Sequence, residues 1–271
     1  SLGGDLALNM RWPLMRSSSA ASFDLIEPIA QIAYTQENDL TLPLEESTHS
    51  EFDEGNLISL SRYPAFDRHE KNLRWAVGGR WKHHFQNGTE LSFSFGRIFR
   101  KTPEADFNSG SGLRRKSSDL LVSAGLDTKN GITILARALL NEDNAPNRAE
   151  ALFDYAKDNV SFSTGFSYLP ASIDEERDES ISELRLAAGY KVGQNWTFSG
   201  DTRYDITDGR AARAGIGISF DNECTTVHFS AAREFSKAGS ASSLTSWNLI
   251  ASLKGFGTGG NRTPIVKNCG E

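Results

Sequence analysis

The sequence predicts an all-β protein, a transmembrane antiparallel β-barrel with about 13 strands in this chain. Three observations carry that prediction. Apolar residues recur at every second position, the alternating runs are mostly about 10–13 residues long, and short turns alternate with longer connections. Strands of soluble proteins usually run about 5–6 residues, whereas tilted membrane strands need roughly 9–11. Short turns on one rim and long loops on the other are the pattern of outer-membrane barrels. A soluble sandwich with one wet face per sheet is the alternative, and it explains neither the strand length nor the loop asymmetry.

Composition agrees. The chain has 271 residues, 38% of them hydrophobic, yet its apolar runs are only a few residues long. No helix of roughly 20 apolar residues fits, but barrel strands hide their apolar residues at alternate positions. The net charge is −6. Between Gln36 and Glu70 nine acidic residues face only Arg62 and Arg68, which leaves the remainder near neutral and gives no sign of a nucleic-acid partner. Nothing at Ser1 reads as a signal peptide, as expected of a mature chain or an excerpt.

Strands are expected at 2–14, 22–34, 71–86, 88–99, 117–127, 131–141, 147–156, 159–170, 180–192, 194–206, 210–221, 223–235 and 243–254. Pro13 and Pro28 fall within the first two and mark a bulge or a strand end there. "LRWAVGGRWKHHF" places Leu73, Trp75, Val77, Trp81 and Phe85 on one face and Arg74, Arg80, Lys82 and His84 on the other. "TELSFSFGRIF" repeats the pattern with Leu91, Phe93, Phe95 and Phe99 against Ser92, Ser94 and Gly96. "VSFSTGFSY", "WTFSGDTRYDI" and "ARAGIGISF" follow suit, with Phe162, Phe198 and Ile216 on their apolar faces and Ser163, Asp201, Arg203 and Gly217 opposite. The apolar face is expected to meet lipid and the other a wet interior. A one-residue slip would turn Arg74, Arg80 and Lys82 into hydrocarbon, at roughly 2–4 kcal/mol for each midplane cation, so register is firmly set.

After a linker expected near 15–21, tight turns are expected at "QNG", "TKNG", "KDN", "VGQN" and "DNE". Segments 35–70, 100–116, 142–146, 171–179, 207–209 and 236–242 form the other rim, and all but one are longer than those turns. Thirteen is an odd count, and bacterial single-chain barrels have even numbers of strands. The expected arrangement is therefore a barrel portion over residues 1–254, with a long extracellular loop 35–70 and a periplasmic tail 255–271, forming the C-terminal part of a larger barrel.

"LNMRWPLM", "LIEPIAQIAY", the loop segment "DEGNLISLSRYPAFDRHE", "SFDNECTTVHFSAAREF" and the closing "SWNLIASLKGFG" together resemble the C-terminal barrel of the LPS-assembly protein family LptD, in an alphaproteobacterial style. The resemblance implies a barrel of about 26 strands preceded by a periplasmic domain. It implies outer-membrane lipopolysaccharide transport and assembly, with lipopolysaccharide inserted into the outer leaflet through a lateral gate. Residues 243–254 would be one half of that gate. Implied partners are an LptE-like plug lipoprotein, a periplasmic Lpt bridge reached through the N-terminal domain, and the barrel-assembly machinery reading the last strand. No bond is made or broken, so neither an enzyme nor a cofactor is expected. A passive porin or other outer-membrane transporter uses the same two-faced strands and is the alternative.

Candidate site residues follow from both readings. The wet faces carry Arg74, Arg80, Lys82, Arg137, Asp201 and Arg203. The loop 35–70 exceeds the roughly 12–15 residues of an idle connector, and Leu57, Ile58, Leu60, Tyr63 and Phe66 give it apolar anchors for the barrel mouth. By resemblance it would cap the lumen and touch the plug. Cys224 and Cys269 lack metal-site spacing and point to a disulfide in an oxidising compartment. Fifteen residues beyond the last strand can reach about 50 Å, so Cys224–Cys269 pairing is feasible. The resembling family instead links a cysteine pair at this turn to N-terminal cysteines, and Glu223 here replaces one of that pair, which leaves connectivity open. "DEERDE" at 174–179 reads as a hydrated loop tip or, less simply, a cation site. His228 and Ser230 share a face, as a lipase pair would, but not on the lipid side. His83 and His84 point apart and share no metal.

Overall fold

The computed structural model describes residues 4–19, 21–36, 50–64, 69–173, 177–236 and 243–254. The fold is all-β and antiparallel, with fourteen strands: β1 (Gly4–Arg11), β2 (Leu14–Ser19), β3 (Ser22–Gln36), β4 (Asn72–His84), β5 (Glu90–Arg100), β6 (Leu120–Asp127), β7 (Ile132–Leu140), β8 (Pro146–Lys157), β9 (Val160–Leu169), β10 (Ile181–Val192), β11 (Trp196–Asp205), β12 (Arg210–Asp221), β13 (Thr225–Glu234) and β14 (Leu244–Leu253). A single 3₁₀ turn spans Ser109–Ser111. The chain divides into two compact units, residues 1–153 with 166–182 and residues 154–165 with 183–271. In the first, neighbours run β1-β3-β4-β5-β6-β7. In the second, β10 to β14 pair in chain order.

Fourteen strands and the expected thirteen differ by one break. Both β1 and β2 pair with β3, from Gly4 opposite Gln36 to Arg11 opposite Ile29, then from Leu14 opposite Ile26 onward. They are two stretches of one path, interrupted at Pro13, which has no N–H to donate. Trp12 donates instead to the Pro28 carbonyl at 3.2 Å. The segment near 15–21, expected as a linker, is strand as far as Ser19, and β3 begins at Ser22.

The turns explain themselves. At "FQNGT" the Phe85 N–H donates to the Thr89 carbonyl and the Gly88 N–H to Phe85, with Gly88 at φ 79°. A tight turn closed by a left-handed residue matches strand twist, and glycine adopts that conformation without a Cβ clash. Residues 128–132 repeat the pattern. So do residues 141–145, with Asn144 as the left-handed residue at φ 58°. That connection, expected among the longer ones, is as tight as those of the opposite rim.

Register follows the two-faced pattern. Trp75 lies opposite Phe99, Gly79 opposite Phe95 and Trp81 opposite Phe93 on the apolar face. Arg74, Ala76, Gly78 and Arg80 lie opposite Arg100, Ile98, Gly96 and Ser94 on the other. The apolar face is uncovered: Trp75 is 40%, Phe93 42% and Phe162 37% exposed. A globular core would have buried all three, and an apolar surface this extensive needs an apolar surrounding. In the second unit, to which Phe162 belongs, Ile216, Trp247 and Leu249 are likewise exposed.

In bilayers of brominated lipid, a full-length variant retaining only Trp75 is expected to be strongly quenched by the acyl-chain bromines. Quenching by aqueous iodide alone would show that the apolar face meets water.

Candidate functional site

The opposite face of the first unit is covered by its own loop. Residues 50–64 fold back over β3 to β7, and Phe52, Leu57 and Tyr63 become buried with Ala76, Ile98, Leu121 and Leu139 of the strands and Phe107 and Leu113 of the next connection. Burying a side chain such as Leu or Phe contributes about 1.5–3 kcal/mol. Tyr63 stacks on Phe107 with ring centroids 4.3 Å apart. Leu57 presses on a floor made by the cross-strand pair Gly78 and Gly96. A Cβ on Gly96 would stand 2.5 Å from the Leu57 side chain and displace it, and one on Gly78 would stand 2.5 Å from the Phe95 carbonyl oxygen, which cannot yield.

The turn at the loop tip is self-made. Asp53 Oδ1 accepts the N–H groups of Gly55 and Asn56, both at 2.9 Å, while Asn56 donates its side-chain amide to the Glu51 carbonyl. This is the local bonding expected of Asp and Asn in a turn.

Charge then fastens the loop. Arg74 and Arg100 are directly opposite on the covered face, and both are buried. Two like charges so placed repel. Glu70 resolves this by accepting Arg100 Nε and Nη2 at 2.9 and 2.7 Å on one oxygen, and Arg62 Nη1 at 2.8 Å on the other. Arg62 also donates to the Leu57 carbonyl at 2.6 Å. Arg74 donates to Thr35 Oγ1 and to the backbone carbonyls of Glu70 and Leu60. Burial alone would raise the Glu70 carboxyl, but Arg62 and Arg100 outweigh it and hold it below the ordinary glutamate range. At nearby Glu104 burial prevails over the Lys71 N–H and the Arg100 charge, and the carboxyl is pushed up.

A second row of contacts lies toward the loop tip. Arg80 donates to the Glu54 carbonyl at 2.7 Å, and Gln31 to that of Ile58 at 2.6 Å. Arg148 reaches Glu51 at 2.9 Å, and Arg137 stands 3.9 Å from Glu54 while bonding Glu150 at 2.8 Å. Alongside the tip is a cavity of about 310 Å³ whose polar lining includes Glu27, Glu54, Arg80, Lys82, Ser94 and Ser123.

The sequence-derived candidates fall as follows. Arg74, Arg80 and Arg137 lie under the loop, and Lys82 pairs with Glu90 at 2.6 Å. In the second unit Asp201 pairs with Arg213 at 2.8 Å, and Arg203 stands 3.4 Å from Glu183. Leu57 and Tyr63 are buried, Ile58 is partly buried against the same cluster, and Leu60 is exposed. Phe66 lies outside the described residues, as do Cys269 and residues 174–176 of the acidic run. Cys224 sits in the turn between β12 and β13. His228 Nδ1 is 2.7 Å from Ser219 Oγ on the adjacent strand, so this histidine engages Ser219. His83 bonds Asp24, whereas His84 stacks on Phe23. Sequence reasoning missed Glu70, Arg62 and Arg100. It also missed Ile98, although "GRIF" signals a change by putting Arg97 on the apolar face and Ile98 on the wet one.

The sequence matches the family model described as LptD, LPS transport system D, over residues 3–196. The chain belongs to the LptD family. It is also 25% identical over 272 residues to the LPS-assembly protein LptD of Vibrio cholerae serotype O1. That match covers 90% of this chain and 32% of the relative, so the chain spans about a third of the relative's length. The match to LptD includes β3 to β9, and with them the whole of the loop clasp.

Replacing Glu70 by Gln leaves Arg62 and Arg100 short of their counter-charge, a loss of about 3–5 kcal/mol for a broken buried pair. The expected outcome is release of residues 50–64, read as new protease cleavage there in otherwise folded protein. Because the Glu70 pKa is depressed in the folded state, its stabilisation is present above the ordinary glutamate pKa and is lost as pH falls through the lower folded value. The wild-type loop is therefore expected to hold at neutral pH and loosen only in strong acid. Loosening at mildly acidic pH would contradict this.

Proposed function

We propose that this chain is the C-terminal barrel portion of an outer-membrane protein that inserts lipopolysaccharide into the outer leaflet through a lateral gate. Membership of the LptD family carries the reading. The two-faced strands support it: one face is exposed and apolar, the other polar and, in the first unit, filled by residues 50–64. Such filling argues against a passive porin, which needs an open lumen. The transported molecule is an amphiphile, and its passage is guided by surfaces rather than by bond chemistry.

Within this reading the substrate is lipopolysaccharide. An LptE-like lipoprotein plugs the lumen, and the periplasmic Lpt bridge docks on sequence outside this chain. The barrel-assembly machinery recognises the final strand β14, whose Trp247 and Leu249 alternate outward. β14 also forms one side of the gate. Cys224 pairs with Cys269 on the periplasmic rim, and a non-reducing peptide map is expected to contain that cross-linked peptide. Two free thiols, or a bond from Cys224 to another part of the full-length protein, would refute the pairing.

The function is tested by depleting the full-length protein in its own host and following newly made lipopolysaccharide. Material retained in the periplasm and inner membrane, with little at the cell surface, is the expected result. Unchanged surface lipopolysaccharide, together with steady conductance of the purified protein in planar bilayers, would favour the porin instead.

A further inference from the structure

Arg97 breaks the rule of its strand. It occupies the apolar face of β5, in line with Leu91, Phe93, Phe95 and Phe99, and lies opposite Val77 of β4. Beside it, Trp75 and Phe99 stack with centroids 6.0 Å apart. Its Nε is buried without a hydrogen-bond partner, and no carboxylate pairs with it among the described residues. Arg233, on the apolar face of β13, is different: its guanidinium rests over the Phe235 ring at 5.6 Å. Arg97 has no such ring.

A lipid-facing arginine is costly at the membrane midplane and nearly free at the interfaces, so its position along the strand decides what it can do. Arg97 is the eighth residue of β5, counted from the end at the "QNG" turn. At a tilted rise of about 2.5 Å per residue, it stands roughly 18 Å along the normal, in an apolar band about 25 Å tall. It is thus past the midplane, on the side of the long connections, and its own side chain can extend the charged fork to the band's edge. What lies there is the headgroup of an outer-leaflet lipid. The aromatic residues around it supply a surface for acyl chains, and a guanidinium binds a phosphate monoester through two parallel hydrogen bonds.

We propose that Arg97, with the Trp75, Val77, Phe95 and Phe99 surface beside it, is a binding site on the outside of the sheet for the phosphate of a phosphorylated glycolipid in the outer leaflet. The site rests on the membrane reading given above but not on the transport step. It holds a lipid already in the leaflet, on the face opposite the loop and its cavity.

The test uses full-length protein in phosphatidylcholine nanodiscs, titrated with bis-phosphorylated lipid A and with enzymatically dephosphorylated lipid A, with bound lipid counted by native mass spectrometry. Wild-type protein is expected to hold the phosphorylated form roughly tenfold more tightly, the scale of one charge-assisted contact. Arg97→Gln should lose that preference, Arg97→Lys should keep part of it, and Lys129→Gln, in the turn between β6 and β7, should keep all of it. Equal binding of the two lipids by wild-type protein overturns the proposal, and that comparison needs no variant to fold. An Arg97→Gln protein that still prefers the phosphorylated form overturns it as well. Normal surface delivery of lipopolysaccharide by Arg97→Gln, with the preference lost, separates this site from the transport function.

Discussion

Two arginines set the terms for the first unit. Register places Arg74 and Arg100 directly across from one another on the same face, where neither can turn away without slipping the strands. Slippage is barred because it would exchange the apolar and polar faces along the whole of β4. The repulsion must therefore be relieved from above, and the sequence supplies Glu70 two residues before β4 begins. Its carboxylate takes both nitrogens of Arg100 that face it and reaches Arg62 with its other oxygen. Once Arg62 and Glu70 are fixed, the loop between 50 and 64 has one way to lie. The apolar residues it carries then meet apolar residues on a face that is elsewhere polar.

The arrangement reverses the usual division of labour in a two-faced sheet. The face with the larger apolar side chains stays uncovered, while the face with arginines, glycines and serines holds the packed cluster. This is coherent only if the surroundings differ. On the membrane reading proposed above, hydrocarbon against Trp75, Phe93 and Phe95 makes their exposure favourable, and the opposite face of the first unit is covered by the protein's own loop. Gly78 and Gly96 show how close that loop comes: the floor beneath Leu57 has no side chains at all.

Much of this was legible in the residues. The period of two gave nearly every strand, because a sheet with unlike surroundings on its two faces enforces alternation at each position. The first strand escaped because Pro13 divides it, and proline signals an interruption without saying whether pairing resumes beyond it. The connection at 141–145 escaped because Asn144 takes the left-handed place that glycine takes in the other two turns. Leu57 and Tyr63 could be singled out as anchors from hydrophobicity alone, but their targets could not. Ile98, Leu121 and Leu139 lie on a face read as wet, and only the folded-back loop makes that face dry. Glu70 is likewise an ordinary acidic residue in an acidic loop until register brings Arg100 beside it.

The clasp also shows what kind of specificity the loop requires. An apolar plug of similar volume would hold at least as well, since buried ion pairs seldom stabilise more than well-packed hydrocarbon. What the arginines add is position. Arg62, Arg74 and Arg80 donate to the carbonyls of Leu57, Leu60 and Glu54, and Gln31 to that of Ile58. These acceptors belong to the backbone, so the bonds fix the path of the loop without reading the side chains at those positions. Other side chains of the segment have roles of their own: Phe52, Leu57 and Tyr63 fill space, Arg62, Glu70 and Glu51 carry charge, and Asp53 and Asn56 build the tip turn. A loop held this way can be exchanged in sequence at its surface without losing its seat, provided the wall keeps its cations and its glycines.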